Sequence, residues 1–73
     1  KYNDYIITSL RTMWGLNTEK IKNEFGENYK NYFLKNSTKY LEKNLLTQSE
    51  NNFKLTEKGM FISDNILSSF LWI

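Results

Sequence analysis

Three groups of side chains in this 73-residue sequence have types and spacings that could do chemistry. Lys35, Lys39 and Lys43 recur at i, i+4 and i+8, with Asn28 and Asn31 near the same helical face. Such a face could read duplex DNA, since asparagine pairs with adenine and lysine meets phosphate or guanine. Five tyrosines and two tryptophans supply flat rings that could serve as a porphyrin platform, and a tyrosine can ligate haem iron. Arg11, the single arginine, could bind a carboxylate through its planar fork.

Each group also has a plainer reading. Glu27 and Glu42 flank the lysines, and the loop Glu50-Asn51-Asn52 has only Lys54 beside it, so little positive charge is gathered for phosphates. The lysines then read as a solvated helix face. Aromatic residues at helical spacing read as core. Arg11 reads as one half of a local ion pair with an acidic residue.

The absent side chains bound the function more tightly. There is no cysteine, which excludes a disulfide framework, a thiolate zinc site and an iron–sulfur cluster ligated by this chain. There is no histidine, so the usual general base, pH switch and metal ligand are missing. Ser9, Ser37, Ser49, Ser63, Ser68 and Ser69 have no imidazole to activate them and no Gly-x-Ser-x-Gly turn. Gly15, Gly26 and Gly59 are too far apart for a phosphate-cradling loop. A carboxylate-only metal site is left open, but the eight Asp and Glu are scattered. The net charge of +2 is too small to imply nucleic acid by itself.

The elements that must carry these residues can be read from periodicity and caps. Tyr2, Ile6, Leu10 and Met13, with Ile7 and Trp14 beside them, predict a first helix over about Asn3 to Trp14. Asn3 is its expected N-cap and Gly15 its stop. Leu16 starts a short extended piece. Asn17 or Thr18 caps a second helix over about Glu19 to Phe25, burying Ile21 and Phe25 and ending at Gly26. A third helix over about Asn28 to Lys43 carries Tyr29, Tyr32, Phe33, Tyr40 and Leu41, with Leu45 continuing the stripe. Asn36, Ser37 and Thr38 weaken its middle, and Asn44 supplies a left-handed stop.

Leu45 to Ser49 and Phe53 to Leu55 predict two strands around the polar turn Glu50-Asn51-Asn52. Thr56 caps one last helix bearing Gly59, Met60, Ile62, Ile66, Leu67, Phe70 and Leu71, with Asp64 on its polar side. The fold class expected is α+β: three helices, a β-hairpin wing and a C-terminal helix, the winged helix-turn-helix plan. Leu16 could add a third short strand beside the hairpin. A chain of this length makes one domain, 1–73, and 40% hydrophobic content argues that it folds.

The stretch Asp4-Tyr-Ile-Ile-Thr-Ser-Leu-Arg-Thr-Met-Trp-Gly-Leu16 resembles the opening of the C-terminal domain of oxygen-independent coproporphyrinogen III oxidase-like proteins. The shared order is an acidic residue, an apolar run, Leu-Arg, then Gly plus an apolar residue. Here these are Asp4, Ile6-Ile7, Leu10-Arg11 and Gly15-Leu16. Phe25-Gly26, Tyr40-Leu41, Leu45-Leu46, Leu55-Thr56-Glu57-Lys58-Gly59 and Phe61-Ile62-Ser63-Asp64 continue the likeness over nearly the whole chain. Asp4 stands where Glu is usual and Asn44 where Gly is usual, both keeping the physical role.

The resemblance implies a larger parent. A radical S-adenosylmethionine domain would precede this one and hold a [4Fe–4S] cluster through a Cys-x3-Cys-x2-Cys motif. Such parents either decarboxylate coproporphyrinogen III oxidatively in haem synthesis or act as haem chaperones. This chain is then a non-catalytic accessory domain that packs against the catalytic domain, and the parent's domain is its expected partner. Tetrapyrrole is met only through the parent. Candidate interdomain contacts are Arg11, Trp14, Phe70, Leu71 and Trp72, because a chain segment ending in consecutive apolar residues cannot hide all of them on one helix stripe. The alternative is a winged-helix DNA-binding regulator module. Lys1 in place of Met and the lack of any signal-like or ~20-residue apolar run suggest an excised piece of a cytoplasmic protein.

Overall fold

A computed structural model describes residues 1–12 and 14–72. Its first helix, α1, spans Tyr2–Leu10 and is followed by a two-residue strand, β1, at Leu16–Asn17. Helices α2 (Thr18–Phe25) and α3 (Glu27–Glu42) come next. Strands β2 (Leu46–Ser49) and β3 (Asn52–Leu55) form the hairpin, and α4 (Glu57–Phe61) and α5 (Ser63–Phe70) close the chain. The class is α+β as expected, with five helices and a three-stranded antiparallel sheet among the described residues.

The sheet order is β1-β3-β2. Register in the hairpin pairs Leu46 with Leu55 and Ser49 with Asn52, so the turn is the two residues Glu50 and Asn51. Glu50 has φ +56, a left-handed value that costs a side chain with a Cβ. Leu16 pairs with Phe53 on the other edge of β3, which confirms the short third strand. Gly15, at φ +80, makes that pairing possible. A Cβ there would lie 2.5 Å from the Phe53 carbonyl oxygen and 2.6 Å from Lys54 Cγ.

Several boundaries follow the expected caps. Asn17 Oδ1 accepts from the amides of Glu19 (2.8 Å) and Lys20 (3.2 Å) at the start of α2. Gly26 ends that helix, and Asn44, at φ +60, turns the chain out of α3. Thr56 Oγ1 accepts from Gly59 N at 3.0 Å, capping α4. The polar run Asn36-Ser37-Thr38 does not break α3. All three side chains bond back to carbonyls of the preceding turn, Asn36 to Tyr32 and Ser37 and Thr38 to Leu34.

Three expectations are corrected. Asn3 is not the N-cap of α1, because the helix begins at Tyr2 after Lys1. Its amide instead clasps the far end of the chain, accepting from Trp72 N at 2.7 Å and donating to Trp72 O at 3.2 Å. Helix α1 stops at Leu10, not at Trp14, because the chain leaves the helix at Arg11 to bring Leu16 onto the sheet. Met13, read as part of its stripe, lies outside the described residues. The last helix is not continuous: it breaks at Ile62, at φ −121 and ψ +31, into α4 and α5.

The core forms one cluster. Ile6 and Leu10 of α1, Leu16, Ile21, Phe33, Leu46, Phe53 and the α5 residues Ile66, Leu67 and Phe70 are buried in it. Phe33 lies at its centre, stacked on Phe70 with ring centroids 4.5 Å apart and edge-on to Phe53 at 5.1 Å.

Candidate functional site

Arg11 leaves the C-terminal end of α1 and Asp64 sits in the first turn of α5. Arg11 Nη2 donates to Asp64 Oδ1 at 2.8 Å. The two side chains are 54% and 89% exposed, so water screens the pair and its contribution to stability is small. The arginine thus has an acidic partner within its own domain. Asp64 also lies where a carboxylate suits the positive end of the α5 dipole.

This ion pair joins two segments that carry four of the five large exposed apolar side chains among the described residues, Trp72 being the fifth. Trp14, three positions after Arg11, is 75% exposed. Met60, Phe61 and Ile62, just before Asp64, are also exposed, Phe61 to 84%. The Trp14 carbonyl accepts from Asn52 Nδ2 at 2.9 Å. Exposed aromatic and aliphatic side chains on segments tied by a solvent-exposed ion pair suit packing against another protein surface.

The other end of α5 was expected to offer a second contact. Phe70 offers none, since it is fully buried between Phe33 and Tyr40. Leu71 is half-buried, and its carbonyl accepts from Tyr32 Oη at 2.9 Å. Trp72 is partly exposed, with its ring against Tyr29 at 4.5 Å and Tyr32 at 4.9 Å. Of the five residues singled out, Arg11 lies at the start of α5, Trp14 beside Asn52 of β3, and Leu71 and Trp72 beyond the end of α5.

Met60, Phe61 and Ile62 were read as parts of a helix stripe or of the family pattern and not as surface. One signal was available. In a helix carrying Ile62, Ile66 and Phe70 on one stripe, Phe61 falls about 100° off it, so a large apolar ring was already pointed away from the core.

The tyrosines do structural work. Tyr2 Oη donates to the Phe70 carbonyl at 3.0 Å. Burial, reinforced by Tyr32 and Tyr29, pushes the Tyr2 phenol well above its usual range. Tyr40 Oη bonds with Ser69 Oγ. The recess lined by Lys1, Tyr2, Asn3, Tyr29 and Trp72 encloses about 170 Å3, below the ~300 Å3 at which ligand pockets begin.

The lysine row on α3 is solvent-facing, with Lys39 Nζ lying 5.2 Å from the Tyr40 ring centre. Lys30, on the same helix, donates to Glu19 Oε2 at 2.7 Å. That hydrogen bond and charge hold the Glu19 carboxyl below its usual range. With no thiolate or imidazole in the chain, its donor set does not fit an iron–sulfur cluster. Among the described residues no group of three or more carboxylates is placed to hold a metal ion. No described helix is long and apolar enough to cross a membrane.

Comparison with protein families gives a match over residues 1–62 to the HemN C-terminal domain. The matched span runs from α1 through α4 and ends at the Ile62 break. No curated protein and no solved structure matches the chain.

Proposed function

The chain belongs to the HemN C-terminal domain family, and from that membership we propose that it is an accessory domain without catalytic groups of its own. It packs against the catalytic domain of a radical S-adenosylmethionine protein of the coproporphyrinogen III oxidase-like kind, an oxidase or haem chaperone. The catalytic domain supplies the [4Fe–4S] cluster and S-adenosylmethionine; this chain supplies a folded wall that covers or shapes the substrate channel. The carrying observation is the set of exposed apolar side chains Trp14, Met60, Phe61 and Ile62, on the two chain segments that the Arg11–Asp64 pair ties together. Large exposed apolar side chains beyond what a folded domain ordinarily leaves bare mark a contact surface. The missing cysteine and histidine argue in the same direction.

The test is hydrogen–deuterium exchange on the 73-residue chain and on the longer polypeptide that carries it downstream of a radical domain. Amides of residues 11–15 and 60–64 should exchange at least tenfold more slowly in the longer polypeptide, and Phe61→Asp should remove that protection while the domain stays folded. Equal exchange in both polypeptides refutes the reading.

A further inference from the structure

The break between α4 and α5 has no local cause. No proline occurs anywhere in the chain, and Gly59 lies three residues before the break, inside α4. No side chain caps the start of α5. The apolar residues stay in helical register across the interruption: Ile62, Ile66 and Phe70 are spaced by four, as in one uninterrupted stripe. Yet Ile66 and Phe70 are fully buried while Ile62 stands out in solvent. An unbroken helix from Glu57 to Phe70 would also give the amides of Ser63 and Asp64 the carbonyls of Gly59 and Met60 as partners.

What bends the chain is tertiary structure on either side. Helix α4 is anchored by Thr56, whose amide donates to Leu45 O at 3.1 Å and whose hydroxyl donates to Asn44 O at 2.8 Å. Helix α5 is anchored by Phe70 in the core, by Tyr2 and Tyr32 on the Phe70 and Leu71 carbonyls, and by Asn3 on Trp72. Every α5 anchor is a contact that a second copy of the same chain can make identically.

We infer that the Ile62 break is a hinge, and that straightening it exchanges α5 between two copies of this chain. In the exchanged dimer each α5 fills its partner's core, and α4 and α5 run as one helix. The Ile62 side chain then joins the Ile66–Phe70 stripe, and the exposed Met60 and Phe61 lie where the two straightened hinges meet. The inference stands apart from the accessory-domain reading. The two are linked only in that a docked catalytic domain covering Phe61 competes with exchange.

The experiment is refolding of the 73-residue chain at millimolar concentration, followed by size-exclusion chromatography with light scattering. A dimer that reverts slowly on dilution is expected. In a mixture of two isotope-labelled pools it should show Phe33–Phe70 contacts between chains, replacing the contact made within one chain in the monomer. Ile62→Gly should lower the dimer association constant about fivefold to tenfold, because two hinges must each become helical. Absence of a dimer at millimolar concentration, a dimer whose Phe33–Phe70 contact stays within one chain, or one indifferent to Ile62→Gly overturns the inference.

Discussion

Replacing Gly59 by alanine tests whether tertiary packing or helix propensity governs α4. Propensity alone predicts a gain, since alanine is favoured over glycine within a helix by about 1 kcal/mol. The packing predicts the opposite. A Cβ on Gly59 would fall far inside 3.0 Å of the Leu45 carbonyl oxygen, a separation real Cβ atoms do not adopt, and 3.1 Å from the Leu45 carbonyl carbon. Leu45 cannot retreat freely. Its carbonyl accepts the Thr56 amide at 3.1 Å and its own amide donates to Tyr40 O at 2.9 Å. Moving α4 away instead breaks the Thr56 bonds to Leu45 and Asn44.

Overpacking of this kind costs about 1–3 kcal/mol and each lost hydrogen bond about 1 kcal/mol. After subtracting the propensity gain, a net loss of about 2–3 kcal/mol is expected. A domain of this size has a total stability of roughly 4–11 kcal/mol at 0.05–0.15 kcal/mol per residue. The loss corresponds to a fall in Tm of about 10–20 °C. Thermal unfolding followed by circular dichroism, with urea titration as a second measure, reads it directly. A Tm equal to or above that of the parent chain would refute the packing argument and return the decision to propensity.

Three further outcomes are expected. Glu50→Asn should raise stability by about 0.5–1 kcal/mol, because asparagine tolerates the left-handed φ of +56 better than glutamate, and an unchanged urea midpoint would contradict this. Asn17→Ala should cost about 1 kcal/mol by stripping the cap from the Glu19 and Lys20 amides, with Asn17→Ser or Asn17→Asp recovering most of it in the same titration. Because Lys30 lowers the Glu19 carboxyl below its unfolded value, the unfolded chain binds the proton more readily. The contribution of that pair is therefore present above the ordinary glutamate range and lost as pH falls through the lowered value. Glu19→Gln should flatten this part of the acid dependence of Tm, and an identical pH profile would remove Glu19 from the account.

Local chemistry made much of the fold readable. Asn17, Gly26, Asn44 and Thr56 mark element ends through bonds or dihedral angles that depend on neighbours in sequence, and each ends or starts an element where expected. Two short runs opening on Leu45-Leu46 and Phe53, on either side of a polar turn, made the hairpin readable for the same reason. The misreadings arose where distant residues decide. Asn3 looked like a cap because the Trp72 backbone that uses its amide is 69 positions away. The Ile62 break was invisible because the stripe continues through it, and only the anchors on α4 and α5 forbid a straight rod. Phe70 looked like spare apolar surface at the chain end, whereas Phe33 and Tyr40 of α3 enclose it. Arg11 found its carboxylate inside the domain, a plain outcome for which the sequence offered eight possible partners and no means of choosing.

The clasp between Asn3 and the Trp72 backbone brings the first turn of α1 and the segment after α5 side by side. A unit whose entry and exit are neighbours can be spliced into a surface loop of a host protein without prising the host apart. Its two ends can also be joined by a short linker and the strand reopened elsewhere, the Glu50-Asn51 turn being the natural cut.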